Sequence, residues 1–240
     1  MRFSRETIDW VWVDLDDTVW DFKGNSWEAL GYVYHAANLD SKIADVDTWR
    51  NCYLENNHRL WTLYNAGTIT KDFLMMERFR RVLTDHGYTD SEARKLSPQL
   101  SDLYLDRLAS LDRLVSGALP LLDHLRQKGY RLGVISNGFH EVQFRKMQSA
   151  GITHYFDTVV LSDDIGVNKP DRRIFDHALR KTSGIADRTL IIGDNPSTDI
   201  AGGLNAGWHA ICFNQNGENE SSTPQGAIEI TSLSQAIELL

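Results

Sequence analysis

Between Gly117 and Leu240 the chain alternates short apolar runs with amphipathic stretches, and few folds accept that rhythm. Residues 130–135, 156–161, 189–192 and 209–213 read as buried strands. Residues 120–128, 141–150, 172–181 and 198–206 read as the helices between them, with Gly129, Gly151 and Gly207 where three of those helices would stop. A short strand at 227–230 and a helix at 233–240 would close the series. One more strand, 9–14, comes from the apolar run Ile8-Asp9-Trp10-Val11-Trp12-Val13. Repeated strand–helix units bury a parallel sheet under helices on both faces. The expected fold class is therefore α/β, a doubly wound parallel sheet.

From about residue 25 to 110 the rhythm changes. Residues 28–38, 47–65, 71–86 and 91–108 carry apolar side chains three and four apart, the spacing of amphipathic helices. Gly67 and Gly87 separate three of them, and Pro98 is expected to restart or kink the last. No strand candidate interrupts this block, so it reads as an all-helical insertion. The expected division is a catalytic core of residues 1–20 and 112–240, with a helical domain of residues 21–111. Linkers near 21–25 and 112–117 are the expected hinges. Residues 214–225 are polar and read as a loop.

A formal net charge of −8 disfavours a nucleic-acid polymer as partner, because such binding draws on positive charge. No apolar run approaches the roughly 18 residues of a membrane span, and Met1–Thr7 carries no apolar stretch of leader length. Cys52 and Cys212 make neither a disulfide framework nor a zinc motif. A soluble protein of the reducing cytoplasm is expected, with no membrane partner and its oligomeric state open.

The suspicious polar groups fall just after strands. Asp14-Leu15-Asp16-Asp17-Thr18 follows the first, Ser136-Asn137-Gly138 follows 130–135, Lys169-Pro170 precedes the helix at 172, and Gly193-Asp194 follows 189–192 with Asp199 close behind. In an open parallel sheet those ends converge on one crevice. Asp14 and Asp16, two residues apart along a strand, point the same way at about 6–7 Å. One such carboxylate can attack while the other moves a proton. Phosphoryl transfer needs these parts, with cations to quench charge on the transferring group. Mg²⁺ suits one or two carboxylates plus phosphate oxygens, and Asp14 and Asp194 are candidates to supply them. Lys169 adds a point charge, and the Ser136 hydroxyl and nearby backbone amides can bind further oxygens.

Together these four segments resemble the four signatures of the haloacid dehalogenase superfamily, in the family's order. The helical block sits where that family inserts its type 1 cap. The resemblance implies that Asp14 is the nucleophile and a Mg²⁺ ligand. It implies that Asp16 protonates the leaving group and then activates water, while its backbone carbonyl binds the metal. Ser136 and Lys169 would hold the phosphoryl group, with Asn137 a candidate beside them. Asp194 would bind Mg²⁺, and Asp199 would orient Lys169 or a metal-bound water. The superfamily's dehalogenases lack an acid at the position of Asp16, so its presence implies phosphate esters as substrates.

The runs Asp16-Asp17-Thr18-Val19-Trp20-Asp21-Phe22 and Gly166-Val167-Asn168-Lys169-Pro170-Asp171 resemble pyrimidine 5′-nucleotidases of this superfamily. The implied activity is Mg²⁺-dependent hydrolysis of a nucleoside 5′-monophosphate, a small phosphorylated metabolite. A sugar-phosphate or other small-metabolite phosphatase is the alternative, ahead of a phosphomutase or a non-catalytic binding protein. Trp27, Trp49 and Trp61 in the helical block are candidates for base stacking, though aromatic residues at helical spacing more often form core.

Overall fold

The run Trp-Val-Trp-Val forms β1 (Trp10–Val13), and all four residues are buried. Burial on both faces is what a central parallel strand requires. In the computed structural model, which describes residues 3–217 and 222–240, β1 lies between β2 (Arg131–Ser136) and β4 (Thr189–Gly193). With β3 (Thr158–Leu161), β5 (His209–Phe213) and β6 (Ile228–Ile230) they make one sheet of order β3-β2-β1-β4-β5-β6. Every neighbouring pair is parallel. Strand order reverses at β1 and β4, and in such sheets the ligand crevice opens beyond the carboxyl ends at that switch. Trp12 pairs with Gly133 across the β1–β2 register, and a Cβ on Gly133 would come within 2.5 Å of the indole. Trp12 also packs at 5.9 Å from Trp208, whose ring meets Phe175 edge-on at 5.2 Å.

The chain divides into two compact units, Met1–Phe22 with Asp112–Leu240, and Lys23–Leu111. The second is all-helical, formed by α1 (Phe22–Ala36) beyond its first residue, α2 (Val46–Asn65), α3 (Lys71–Asp85) and α4 (Asp90–Ala109). Side chains cap three of the four N-termini. Asp45 accepts from the amides of Asp47 and Thr48, Thr70 accepts from Phe73, and Thr89 with Glu92 forms a capping box. Rings of Trp49, Tyr53, Phe79 and Tyr104 fill the interior of this unit. Trp49 is fully buried and stacks on Phe79, so it is core.

Two expectations here need correction. The helix starts at Phe22, well ahead of residue 28, because the poor helix formers Asn25 and Ser26 are buried and the Ser26 hydroxyl bonds Tyr104 at 2.7 Å. Pro98 does not restart α4, which runs unbroken through it. The capping box and the buried face of Ala93, Ser97, Leu100, Ser101 and Tyr104 hold the turn that proline weakens.

The first unit carries α5 (Ala118–Gln127), α6 (His140–Ser149), α7 (Ser162–Ile165), α8 (Arg172–Thr182), α9 (Ala201–Asn205) and α10 (Leu233–Leu239). The helix expected over 198–206 is two pieces, a π turn at Pro196–Ile200 followed by α9. Of the polar stretch 214–225, Gln215–Gly217 forms a 3₁₀ turn, and the centre of the expected loop, 218–221, lies outside the described residues. Among the described residues no helix is long and apolar enough to cross a membrane. Cys52 and Cys212 are unbridged.

Candidate active site

Asp14 is the first residue past β1. Its amide donates to the Ile192 carbonyl of β4 at 2.9 Å, which fixes its backbone at the switch point. Its carboxylate is buried and accepts from Lys169 Nζ at 2.5 Å. The same ammonium donates to the Ile135 carbonyl at 2.8 Å and lies 2.7 Å from Asp199 Oδ1. Lys169 and Asp199 are almost wholly enclosed.

Asn137 supports this lysine from the end of β2. Its Nδ2 donates to the Lys169 carbonyl at 3.0 Å, and its Oδ1 accepts from the Lys169 amide at 2.7 Å. The amide expected beside a phosphoryl group thus clamps the lysine backbone.

Asp194 follows β4 and accepts from the Thr18 hydroxyl at 3.4 Å. The π turn swings Asp199 back under β4, where its Oδ2 accepts from the Asn195 amide at 3.1 Å. The approach is so close that a Cβ on Gly193 would sit 2.5 Å from Asp199 Oδ2. Asp14, Asp194 and Asp199 each offer an oxygen within 4.8 Å of the others. Of the carboxylates expected at a metal, Asp14 and Asp194 are in this cluster. The Asp16 carboxylate points elsewhere, and Asp199 joins the cluster.

Asp16 is gripped by two donors absent from the sequence expectations. Lys146 Nζ lies 2.7 Å from its Oδ1, and Gln143 Nε2 donates to its Oδ2 at 2.9 Å. Gln143 Nε2 also donates to Ser136 Oγ at 2.7 Å, and that oxygen accepts from the Gly138 amide at 3.1 Å. Gln143 and Lys146 stand one turn apart on α6, so they share a face. A Gln-x-x-Lys spacing on a helix after the Ser-Asn-Gly turn was the only signal available, and solvated helix faces carry the same pattern. Asp17 takes a left-handed conformation, φ 57°, which short polar side chains tolerate, and so turns the chain after Asp16.

Charge in the site is unbalanced. Asp14, Asp16, Asp194 and Asp199 face two ammonium groups, Lys169 and Lys146. Burial pushes the Asp14 carboxyl up to about 7, against the pull of Lys169 and with repulsion from Asp199 and Asp16 added. Asp194 is also held well above the ordinary carboxylate range, by burial first and then by Asp199, Asp14 and Asp17. Burial pulls Lys169 down, but Asp14 and Asp199 outweigh it and keep the ammonium charged. Crowded carboxylates that resist ionisation beside one another, all hard oxygen donors, fit a divalent cation that would relieve the repulsion.

The chain is similar to the pyrimidine 5′-nucleotidase YjjG of Escherichia coli, 31% identical over 210 residues that cover 85% of each chain. It is similar to a glyceraldehyde 3-phosphate phosphatase of Methanothermobacter thermautotrophicus, 48% identical over 207 residues covering 85% of this chain and 84% of that one. Among solved structures it resembles the magnesium-bound HAD-hydrolase YfnB of Bacillus subtilis, with TM-score 0.85 and 27% identity over 98% of this chain and 99% of that one. Residues 8–207 match the model of the haloacid dehalogenase-like hydrolases, and the chain belongs to that family.

Proposed function

We propose that this protein is a Mg²⁺-dependent phosphomonoesterase that passes the phosphoryl group through Asp14 and acts on nucleoside 5′-monophosphates in the cytoplasm. The observation that carries the reading is the buried Asp14 carboxylate at the sheet's switch point, held by Lys169 and crowded by Asp194 and Asp199. Asp14, Asp194 and, on the resemblance, the Asp16 backbone carbonyl would hold the metal. Asp199 anchors Lys169 in this reading and stands close enough to take part. When bound, Mg²⁺ would neutralise the repulsion between an anionic nucleophile and an anionic phosphate.

The chain's own groups supply the rest. An Asp14 oxygen attacks phosphorus in line, the bond from phosphorus to the ester oxygen breaks, and Asp16 gives its proton to the departing alkoxide. Water then attacks the aspartyl-phosphate, Asp16 takes the water's proton, and the bond to Asp14 breaks to release inorganic phosphate. Lys169 and Ser136 hold phosphoryl oxygens through both steps, and Asn137 holds Lys169 in place. The acid at Asp16 favours ester hydrolysis over dehalogenation, and Asp17, at a position where phosphomutases of the superfamily usually carry glycine, disfavours a phosphomutase. We read residues 21–111 as the cap that selects the leaving group and residues 1–20 and 112–240 as the catalytic core.

Likeness to the nucleotidase over 85% of the chain supports the nucleotide assignment. Likeness to the glyceraldehyde 3-phosphate phosphatase supports a second reading, a small sugar phosphate on the same core chemistry. Phosphate release from a panel of nucleoside monophosphates and sugar phosphates, with Mg²⁺, with EDTA and with Asp14→Asn, tests both. Nucleoside monophosphates should lead the panel, and both controls should abolish turnover. Sugar phosphates in the lead would move the substrate class, and no turnover of any ester would overturn the reading.

A further inference from the structure

We infer that Lys146 and Gln143 are positioning residues for the Asp16 carboxylate, a clamp on α6 that aims the proton donor at the leaving-group oxygen. The inference rests on the role proposed above for Asp16.

Asp16 is only partly buried and immediately precedes the left-handed residue Asp17, so its side chain is not enclosed by packing alone. The clamp holds it by taking both carboxylate oxygens, Lys146 on Oδ1 and Gln143 on Oδ2. Each donor is itself immobilised. Lys146 is 3% exposed, and its ammonium lies over the Trp20 ring at 4.5 Å and the Phe22 ring at 5.4 Å. Gln143 is fully buried, and its Nε2 also donates to Ser136 Oγ, which ties the proton donor to the proposed phosphoryl-binding hydroxyl.

Two costs mark this arrangement as serving Asp16. The Gln143 Oε1 is buried without a hydrogen-bond partner, because the amide is turned to present its donor to Asp16 and Ser136. Position 138 is a glycine, and a Cβ there would lie 2.3 Å from the Gln143 amide and push it out of this place. Proximity chemistry is sensitive to displacements of about 1 Å. A carboxylate free to rotate would meet the leaving oxygen in only a fraction of encounters.

The test uses the dependence of rate on leaving-group basicity. p-Nitrophenolate departs without a proton, whereas an alkoxide must receive one. We would measure kcat/KM for p-nitrophenyl phosphate, phenyl phosphate and β-glycerol phosphate with wild type, Lys146→Met, Lys146→Arg, Gln143→Leu and Asp16→Asn. The ratio of two substrates on one preparation does not depend on how much of a variant folds. If Lys146→Met yields no folded protein at all, Gln143→Leu gives the same readout.

Lys146→Met should raise the preference for p-nitrophenyl over glycerol phosphate by about tenfold or more, the loss falling on the ester that needs the acid. Gln143→Leu should shift it in the same direction, Asp16→Asn should shift it further, and Lys146→Arg should recover most of the wild-type ratio. An unchanged ratio in Lys146→Met and Gln143→Leu, with Asp16→Asn shifted, would overturn the clamp and leave the catalytic reading standing. An unshifted ratio in Asp16→Asn would overturn the role of Asp16 itself.

Discussion

Replacing Asp14, the proposed nucleophile, should stabilise the metal-free protein. Asp14→Asn keeps size and a hydrogen-bond acceptor for Lys169 but removes one of the crowded carboxylates. The Asp14 carboxyl rises from 3.8 to about 7, with burial as the largest cause. A raised acid binds its proton more tightly folded than unfolded. Between about pH 4 and pH 7 the folded chain therefore holds more protons, and stability falls as pH rises through that window. The penalty is absent below pH 4 and complete above pH 7. At about 1.4 kcal/mol per pKa unit the shift sets a ceiling near 4 kcal/mol. Water entering the site and the weaker Lys169 contact reduce that to roughly 1–3 kcal/mol, a rise in Tm of about 2–10 °C. Thermal unfolding in EDTA from pH 4 to pH 8 is the assay. Asp14→Asn should equal wild type at the acid end and exceed it increasingly to pH 7, and Mg²⁺ should close the gap by stabilising wild type. A variant less stable than wild type at pH 8, or an advantage that does not change with pH, would refute the account of the crowded carboxylates.

Further predictions follow from the same geometry. Lys169→Met leaves Asp14 and Asp199 without their ammonium at 2.5 and 2.7 Å. It should cost roughly 3–5 kcal/mol in urea unfolding at pH 8 and a factor of about 10³ in kcat; more than a tenth of wild-type activity would contradict this. Gly193→Ala puts a Cβ 2.5 Å from Asp199 Oδ2 and must displace that carboxylate. The Mg²⁺ concentration giving half-maximal rate should rise about tenfold or more, and an unchanged value would exclude Asp199 from supporting the metal. Gly133→Ala drives a methyl to 2.5 Å from the Trp12 ring in the middle of the sheet. It should cost about 1–3 kcal/mol by denaturant midpoint at unchanged metal dependence.

Much of the core was legible because buried parallel strands are written as unbroken apolar runs. Trp10–Val13, Thr189–Gly193 and His209–Phe213 stand where periodicity puts them, and the polar residues after them reach the switch point as topology requires. Local rules failed where tertiary packing overrides propensity. Asn25 and Ser26 are helical because both are buried and the Ser26 and Tyr104 hydroxyls share a hydrogen bond, and Pro98 stays within a helix whose ends and buried face are secured elsewhere. The expected partnership of Asp199 with Lys169 came from the resemblance, and the backbone that delivers it was not legible, because a plain helix was expected over 198–206. The π turn at Pro196–Ile200 brings Asp199 to Lys169 and the acidic cluster, and such turns have no sequence signature. Lys146 and Gln143 were invisible for a different reason. Polar side chains on a helix read as solvated unless the partner that buries them is known, and theirs, Asp16, lies more than a hundred residues earlier.

The central claim is that Asp14 itself carries the phosphoryl group. Mixing enzyme with Mg²⁺ and substrate, quenching in acid within milliseconds and mapping peptides by mass spectrometry tests it most directly. The peptide containing Asp14 should gain the mass of one phosphoryl group, the label should decay at the rate of phosphate release, and Asp14→Asn should carry none. A label on any other residue, or steady turnover with no label at times shorter than one turnover, would contradict it.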